Sequence, residues 1–109
     1  MPDGQRTTDD QAARWPGDAC FVAAQGIVAA DLGDEAVILD PQAGIYFGLD
    51  ELGARIWQVL QQPVTVAGIC AVVTAEYMVG EAQCRDDLLV FLRELHGRGL
   101  IEVVNAAGR

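Results

Sequence analysis

Three textures of apolar and polar positions follow one another along the chain. Residues Met1 to Asp18 are polar, with Trp15 their single large apolar side chain. From Cys20 to Leu49 short β-branched and aromatic runs alternate with turn residues, the pattern of strands joined by tight connections. Ile27–Ala30, Glu35–Asp40 and Ile45–Leu49 read as strands. Asp31–Asp34 and Pro41–Gly44 read as turns, Pro setting an early φ and Gly allowing a late positive one. Two short connections in sequence predict an antiparallel meander. A sheet of this size needs helices on one face to be stable. Cys20–Ala24 reads as a short extension or an irregular lead-in.

From Asp50 the period lengthens to that of a helix. Asp50 suits an N-cap, since its carboxylate accepts orphan N–H groups of the first turn. Leu52, Ile56, Val59 and Leu60 share a stripe, and Gln61-Gln62-Pro63 ends the helix. Gly53 inside it suggests close approach of another backbone. Thr65 caps a second helix with Val66, Ile69, Cys70, Val73 and Tyr77 inward, so Cys70 reads as a buried apolar group. A third helix runs from Glu81 to Gly97, acidic at its start and basic at its end, as the macrodipole favours. Its core stripe is Leu88, Phe91, Leu92 and Leu95. Gly97-Arg98-Gly99 stops it, and Leu100–Val104 is extended. Strands followed by helices predict an α+β fold, a three-stranded antiparallel sheet followed by three helices, compatible with winged-helix-like packing. Residues 1–18 read as a flexible tail, where a loose terminus is preferred to docking of Trp15, and 105–109 as a second tail.

Composition narrows the function. The chain has 109 residues, 51% of them hydrophobic, which suits one domain with a packed core. Seven basic residues, all Arg, stand against 16 acidic ones, for a net charge of -9. That balance opposes nucleic-acid binding, which needs cations to displace counterions from phosphates. No apolar run approaches the ~18 residues of a membrane span, and the N-terminus lacks a signal pattern. Three cysteines without CxxC spacing read as free thiols in a cytoplasmic protein. One His and no ligand spacing argue against a metal site, and nothing calls for a cofactor.

An enzyme reading finds little support. Cys84 beside Arg85 opens the third helix, yet no Cys-His-Asn arrangement accompanies it, and His96 is an ordinary helix-end residue. Gly44–Gly48 is no phosphate loop, because no Gly-Lys-Ser/Thr follows. The third helix mixes Arg85, Arg93 and Arg98 with Glu81, Asp86, Asp87 and Glu94, a poor face for DNA. Peptide binding remains. The third strand of the meander is an edge rich in Ile, Tyr and Phe and unprotected by Pro or Lys. Such an edge either docks another strand or is covered by a helix or a second copy of the chain.

The stretch Val37-Ile38-Leu39-Asp40-Pro41-Gln42-Ala43-Gly44-Ile45-Tyr46-Phe47-Gly48-Leu49-Asp50-Glu51-Leu52-Gly53-Ala54-Arg55-Ile56-Trp57 resembles the PqqD-like family. Asp87–Leu95 with Gly99-Leu100-Ile101 resembles that family's last helix and exit. The resemblance spans roughly Ile27 to Val104 and is nearest to the small stand-alone members of lasso-peptide biosynthesis. It implies a recognition element (residues 19–104) for ribosomally made, post-translationally modified peptides. It also implies a precursor leader peptide added as a strand to the third strand, against the third helix. The domain itself would be non-catalytic, presenting the leader to a leader peptidase or other maturation enzyme.

Carried onto this chain, the resemblance points to Ile45, Tyr46, Phe47 and Gly48 on the strand. On the helix it points to Arg85, Asp86, Leu89, Leu92 and His96. Tyr46 and Phe47 face opposite ways, and which of them lines the groove stays open. Leu89 reads equally as groove or core, whereas Asp86 and Asp87 read as dipole partners on a solvated face in preference to leader contacts. Two other readings stand beside this one: an acidic winged-helix regulator acting through protein contacts, and a PqqD-type chaperone of a redox-cofactor precursor peptide. A homodimer stays open.

Overall fold

The computed structural model describes Trp15 and residues 19–105, of Asn105 the backbone alone. The chain runs β1 (Ala19–Ala23), β2 (Val28–Leu32), β3 (Glu35–Asp40), β4 (Ile45–Leu49) and α1 (Glu51–Val59). It continues through β5 (Val64–Thr65), α2 (Val66–Glu76), α3 (Glu81–Gly97) and β6 (Ile101–Asn105). Apart from Trp15 and Asn105, the two expected tails lie outside the described residues.

The meander forms as the turn residues require. β2, β3 and β4 are antiparallel neighbours in that order. Gly33 at φ 93° is the first central residue of a two-residue hairpin whose second, Asp34, is not left-handed. This is the II′ arrangement, whose twist matches that of the strands. Gly44 at φ 69° closes the second turn and donates its N–H to the Asp40 carbonyl at 2.9 Å. The Asp40 carboxylate accepts from the Gln42 and Ala43 amides. The first strand lies one to two residues later than expected, because only Gly33 and Asp34 are given to the turn.

A second antiparallel sheet, in the order β5-β1-β6, is not legible as a sheet in the sequence. The segment that reads as a short extension or an irregular lead-in is its central strand. Cys20 and Phe21 pair with Thr65 and Val64 on one side, and Ala19–Ala23 with Asn105–Ile101 on the other. These partners are distant in sequence, beyond one or more helices, so no local turn announces them. Phe21 is wholly buried, and Trp15 packs edge-on against its ring at 4.8 Å. Trp15 is therefore docked, contrary to the loose terminus expected for it.

The helices start where their caps stand. Asp50 Oδ1 accepts from the Gly53 amide at 2.8 Å, and Thr65 Oγ1 from the Gly68 amide at 3.0 Å. Gly53 answers a different constraint from the one expected. A Cβ there would meet the Asp50 carboxylate at 3.2 Å and the Leu49 side chain at 3.4 Å, not a foreign backbone. Ile38 and Leu49 of the meander, Ile56 and Leu60, Ile69 and Val73, and Leu88, Leu92 and Leu95 of α3 fill one core, closed by Leu100 and Ile101. Among the described residues no helix is long and apolar enough to cross a membrane.

Phe21 ties the second sheet to this core. Phe21→Ala is expected to cost about 3–5 kcal/mol in denaturant unfolding. A loss below about 1 kcal/mol would show that β1 is dispensable to the core.

Candidate peptide-binding groove

Each meander strand alternates inward and outward backbone groups. The two-residue hairpin makes Leu32 and Glu35 a hydrogen-bonded pair, and the bonding sense then alternates through the register. Val37 and Leu39 therefore bond toward β2, and Ala36, Ile38 and Asp40 toward β4. Their partners Leu49, Phe47 and Ile45 are bonded inward. The backbone groups of Tyr46 and Gly48 point away from the sheet, along an edge that β4 shares with no other described strand.

Beside that edge lies an open groove of ≈ 410 Å³ between β4, α1 and α3. Its strand wall is Phe47, Gly48 and Leu49, its α1 wall Leu52, Gly53 and Ile56, and its α3 wall Cys84, Asp87, Leu88 and Phe91. Val73 and Val79 complete the lining. The Phe47 and Phe91 rings meet edge-to-face at 6.4 Å across the opening. The Arg98 guanidinium lies over the Phe47 ring at 5.1 Å and holds it by a cation–π contact. Asp50 and Asp87 are the charged lining residues. Asp50 is engaged as the α1 cap, and Asp87 accepts from Gln83 at 3.3 Å. The groove is thus lined by apolar side chains and two carboxylates.

The structure settles which strand aromatic faces the helix. Phe47 is half-buried against Phe91, whereas Tyr46 is 73% exposed on the opposite face. Ile45 lies on the same face as Phe47, outside the groove lining. On α3 the residues singled out from sequence do not come together at the groove. At 100° per residue, Cys84, Asp87 and Phe91 sit on one flank of the buried stripe and Arg85, Leu89 and His96 on the other. His96 meets the Trp15 ring edge-on on that other side, at 6.0 Å. Asp86 is exposed, and Leu92 is fully enclosed in the core, with no surface to offer a ligand. The sequence shows an apolar stripe but does not say which of its flanks meets the sheet edge. It therefore marks Asp87 first as a dipole partner and Leu88 and Phe91 as core, where the structure puts all three on the groove wall.

Cys84 and His96 stand twelve residues apart on one helix, about 18 Å at 1.5 Å per residue, too far for a nucleophile and its base. Cys20, Cys70 and Cys84 form no disulfide and are buried. Among the described residues no three metal-ligating side chains cluster. Burial, with Cys84 beside it, pushes the Cys70 thiol up to about 11. An ion pair between Arg55 and Glu76, 2.8 Å long, joins α1 to the end of α2 and holds the Glu76 carboxyl below its ordinary value.

A small sheet with a free edge beside an apolar groove is the geometry used by modules that add a peptide strand. The family model described as "Coenzyme PQQ synthesis protein D (PqqD)" matches residues 35–101, and the chain belongs to that family. A solved structure described as TbiB1 in complex with the TbiA(beta) leader peptide is 38% identical, with a TM-score of 0.70, covering 74% of this chain and 94% of its own. A lasso peptide synthetase B1 complexed with the leader peptide is 26% identical, with a TM-score of 0.67, covering 75% and 96%. The PqqD truncation of Methylobacterium extorquens PqqCD, a stand-alone recognition element, shares the fold at 19% identity and a TM-score of 0.67, covering 84% of this chain and 98% of its own. No curated protein matches the chain in sequence. The expected α+β, winged-helix-like class holds, with the second sheet added to it.

The raised Cys70 value carries a pH signature. Between the ordinary thiol value of 9.0 and about 11, the unfolded chain releases a proton that the folded chain keeps. Stability therefore falls as pH rises through that window. Thermal melts should show a steeper decline from pH 9 to 11 for the wild type than for Cys70→Ala. Equal slopes would place the Cys70 thiol at its ordinary value.

Proposed function

We propose that this protein is a non-enzymatic recognition element for the leader of a ribosomally made, post-translationally modified peptide, most closely of the lasso type. Residues 19–104 form the recognition domain. The carrying observation is the free Tyr46–Gly48 backbone edge beside the apolar groove. The leader adds as a strand to β4, bonding the outward N–H and C=O groups of Tyr46 and Gly48. One apolar leader side chain enters between Phe47, Leu88 and Phe91, and a basic leader residue suits Asp50 and Asp87 in the lining. Gly48 has no side chain, and space beside it is open, so an incoming backbone can approach closely. The 38% identical TbiB1, solved with a leader peptide, supports the reading. The leader then passes to a separate leader peptidase or other maturation enzyme, and the setting is cytoplasmic.

The test is titration of a labelled leader, taken from a neighbouring precursor gene, followed by fluorescence anisotropy. Saturable binding is expected. Gly48→Pro removes an outward donor and leaves the β3–β4 ladder intact, so affinity should fall about tenfold or more while the melt survives. Phe91→Arg should do the same by filling and charging the groove. Leader binding untouched by both folded variants would contradict the groove assignment.

A further inference from the structure

The groove contains a nucleophile that strand addition does not use. Cys84, in the first turn of α3, lines the wall with Asp87, Leu88 and Phe91. Beside it stands Cys70 of α2, the helix packed against α3. The two thiols share a hydrogen bond. Cys70 is 2% exposed and does not line the groove, whereas Val73, one turn further along α2, does. One sulfur of the pair therefore meets the groove and the other is enclosed. A single buried cysteine is explained by packing. Two thiols in contact, from different helices and with one at an open wall, have the arrangement of an attacking cysteine and its resolving partner.

We propose that Cys84 and Cys70 are a redox modification site in this groove: a hydroperoxide converts them to a disulfide, and the oxidised groove holds the leader more weakly. The inference rests on the leader-recognition reading and adds regulation to the same site. The oxidant class follows from access. Cys84 is 6% exposed, so only a small reagent reaches its sulfur. The lining is apolar with the carboxylates of Asp50 and Asp87, which disfavours a bulky anionic oxidant such as glutathione disulfide. Burial keeps the Cys70 thiol protonated, so Cys84 reacts first. Its sulfur, as thiolate, attacks one oxygen of hydrogen peroxide, the O–O bond breaks, and the departing hydroxide takes up the thiol's proton as water. Cys84 is then a sulfenic acid. The Cys70 sulfur attacks the Cys84 sulfur, the S–O bond breaks, and the hydroxide leaves as water with the Cys70 proton. In sum, two thiols lose two electrons and one peroxide becomes two waters. Replacing a hydrogen bond by a covalent one draws the start of α3 toward α2, and a close-packed interior transmits the shift. Cys84, Asp87, Leu88 and Phe91 move as one wall, and the Phe47–Phe91 contact across the opening loosens. Coupling is reciprocal: a seated leader covers Cys84 and opposes the disulfide.

The test treats the full reduced chain with hydrogen peroxide, with and without saturating leader. Peptides are mapped without reduction, because the exposed Met78 also takes up oxygen. A cross-linked Cys70–Cys84 peptide is expected from the free protein, its formation slowed about tenfold by leader. The cross-linked protein should bind leader about tenfold more weakly by fluorescence anisotropy, and dithiothreitol should restore the reduced affinity. Cys70→Ala lies outside the groove lining and should bind leader as the wild type does. After peroxide it should form no cross-link and instead carry a sulfenic acid at Cys84, which dimedone traps and leader shields. Should that variant not fold, the wild-type readouts decide without it. A folded wild type that yields no Cys70–Cys84 peptide overturns the inference, as does a cross-linked protein with unchanged leader affinity. Equal rates of cross-linking with and without leader overturn it too. Failure of the reduced wild type to bind leader would instead strike the recognition reading itself.

Discussion

In a three-stranded meander the middle strand satisfies its backbone on both sides, while each outer strand satisfies only every second residue. That constraint governs what this protein has to offer. β3 is saturated by β2 and β4, and the two-residue hairpin at Gly33 fixes the bonding sense of every residue that follows. The sense leaves Tyr46 and Gly48 with their amide and carbonyl groups pointing outward. A shift of one residue in the register would turn Phe47 away from the helices and exchange which amides face the open edge. The turn chemistry therefore determines the face of Phe47 and the bonding positions together.

The rest of the fold holds that edge beside an apolar wall. Ile38 and Leu49 anchor the inner face of the meander in the core shared with α1 and α3, and the second sheet fastens the end of α3 through Leu100 and Ile101. The Leu100 carbonyl accepts from Ala24 at 3.0 Å, and the Leu60 carbonyl accepts from Ala23 at 2.8 Å, so the end of β1 clasps the ends of two helices. Phe91 remains half-buried because it meets Phe47 on the opposite wall of an open groove, not a filled interior. Arg98, paired with Glu94 and stacked on Phe47, restrains that ring at the opening.

Much of this architecture is legible in the amino-acid sequence. Turn residues announce the meander, Asp50 and Thr65 announce two helix starts, and the dipole pattern of Glu81 to Gly97 bounds the third helix. These signals are local, carried by neighbours in the chain. The second sheet stays hidden because Ala19–Ala23 is a continuous apolar run whose partners at Val64–Thr65 and Ile101–Asn105 are remote in sequence. The docking of Trp15 stays hidden for the same reason, since Phe21, whose ring it meets, is placed by that sheet and His96, whose ring it also meets, by α3. Of the strand residues singled out from sequence, Phe47 and Gly48 line the groove and Ile45 and Tyr46 do not, and none of the helix residues singled out lines it. A wide apolar stripe of Leu88, Phe91, Leu92 and Leu95 has two flanks, and only the tertiary packing decides that Phe91 meets the edge strand while Leu89 turns the other way.

Amide hydrogen exchange at single-residue resolution addresses the central claim directly, because it reads the backbone groups themselves. In the free protein the Tyr46 and Gly48 amides should exchange fast while that of Phe47, bonded to Ile38, is protected. On saturation with the leader, Tyr46 and Gly48 should become protected, and Ala29 and Asp31 on the opposite edge should not. Leader that binds to saturation and leaves Tyr46 and Gly48 in fast exchange would contradict strand addition at β4.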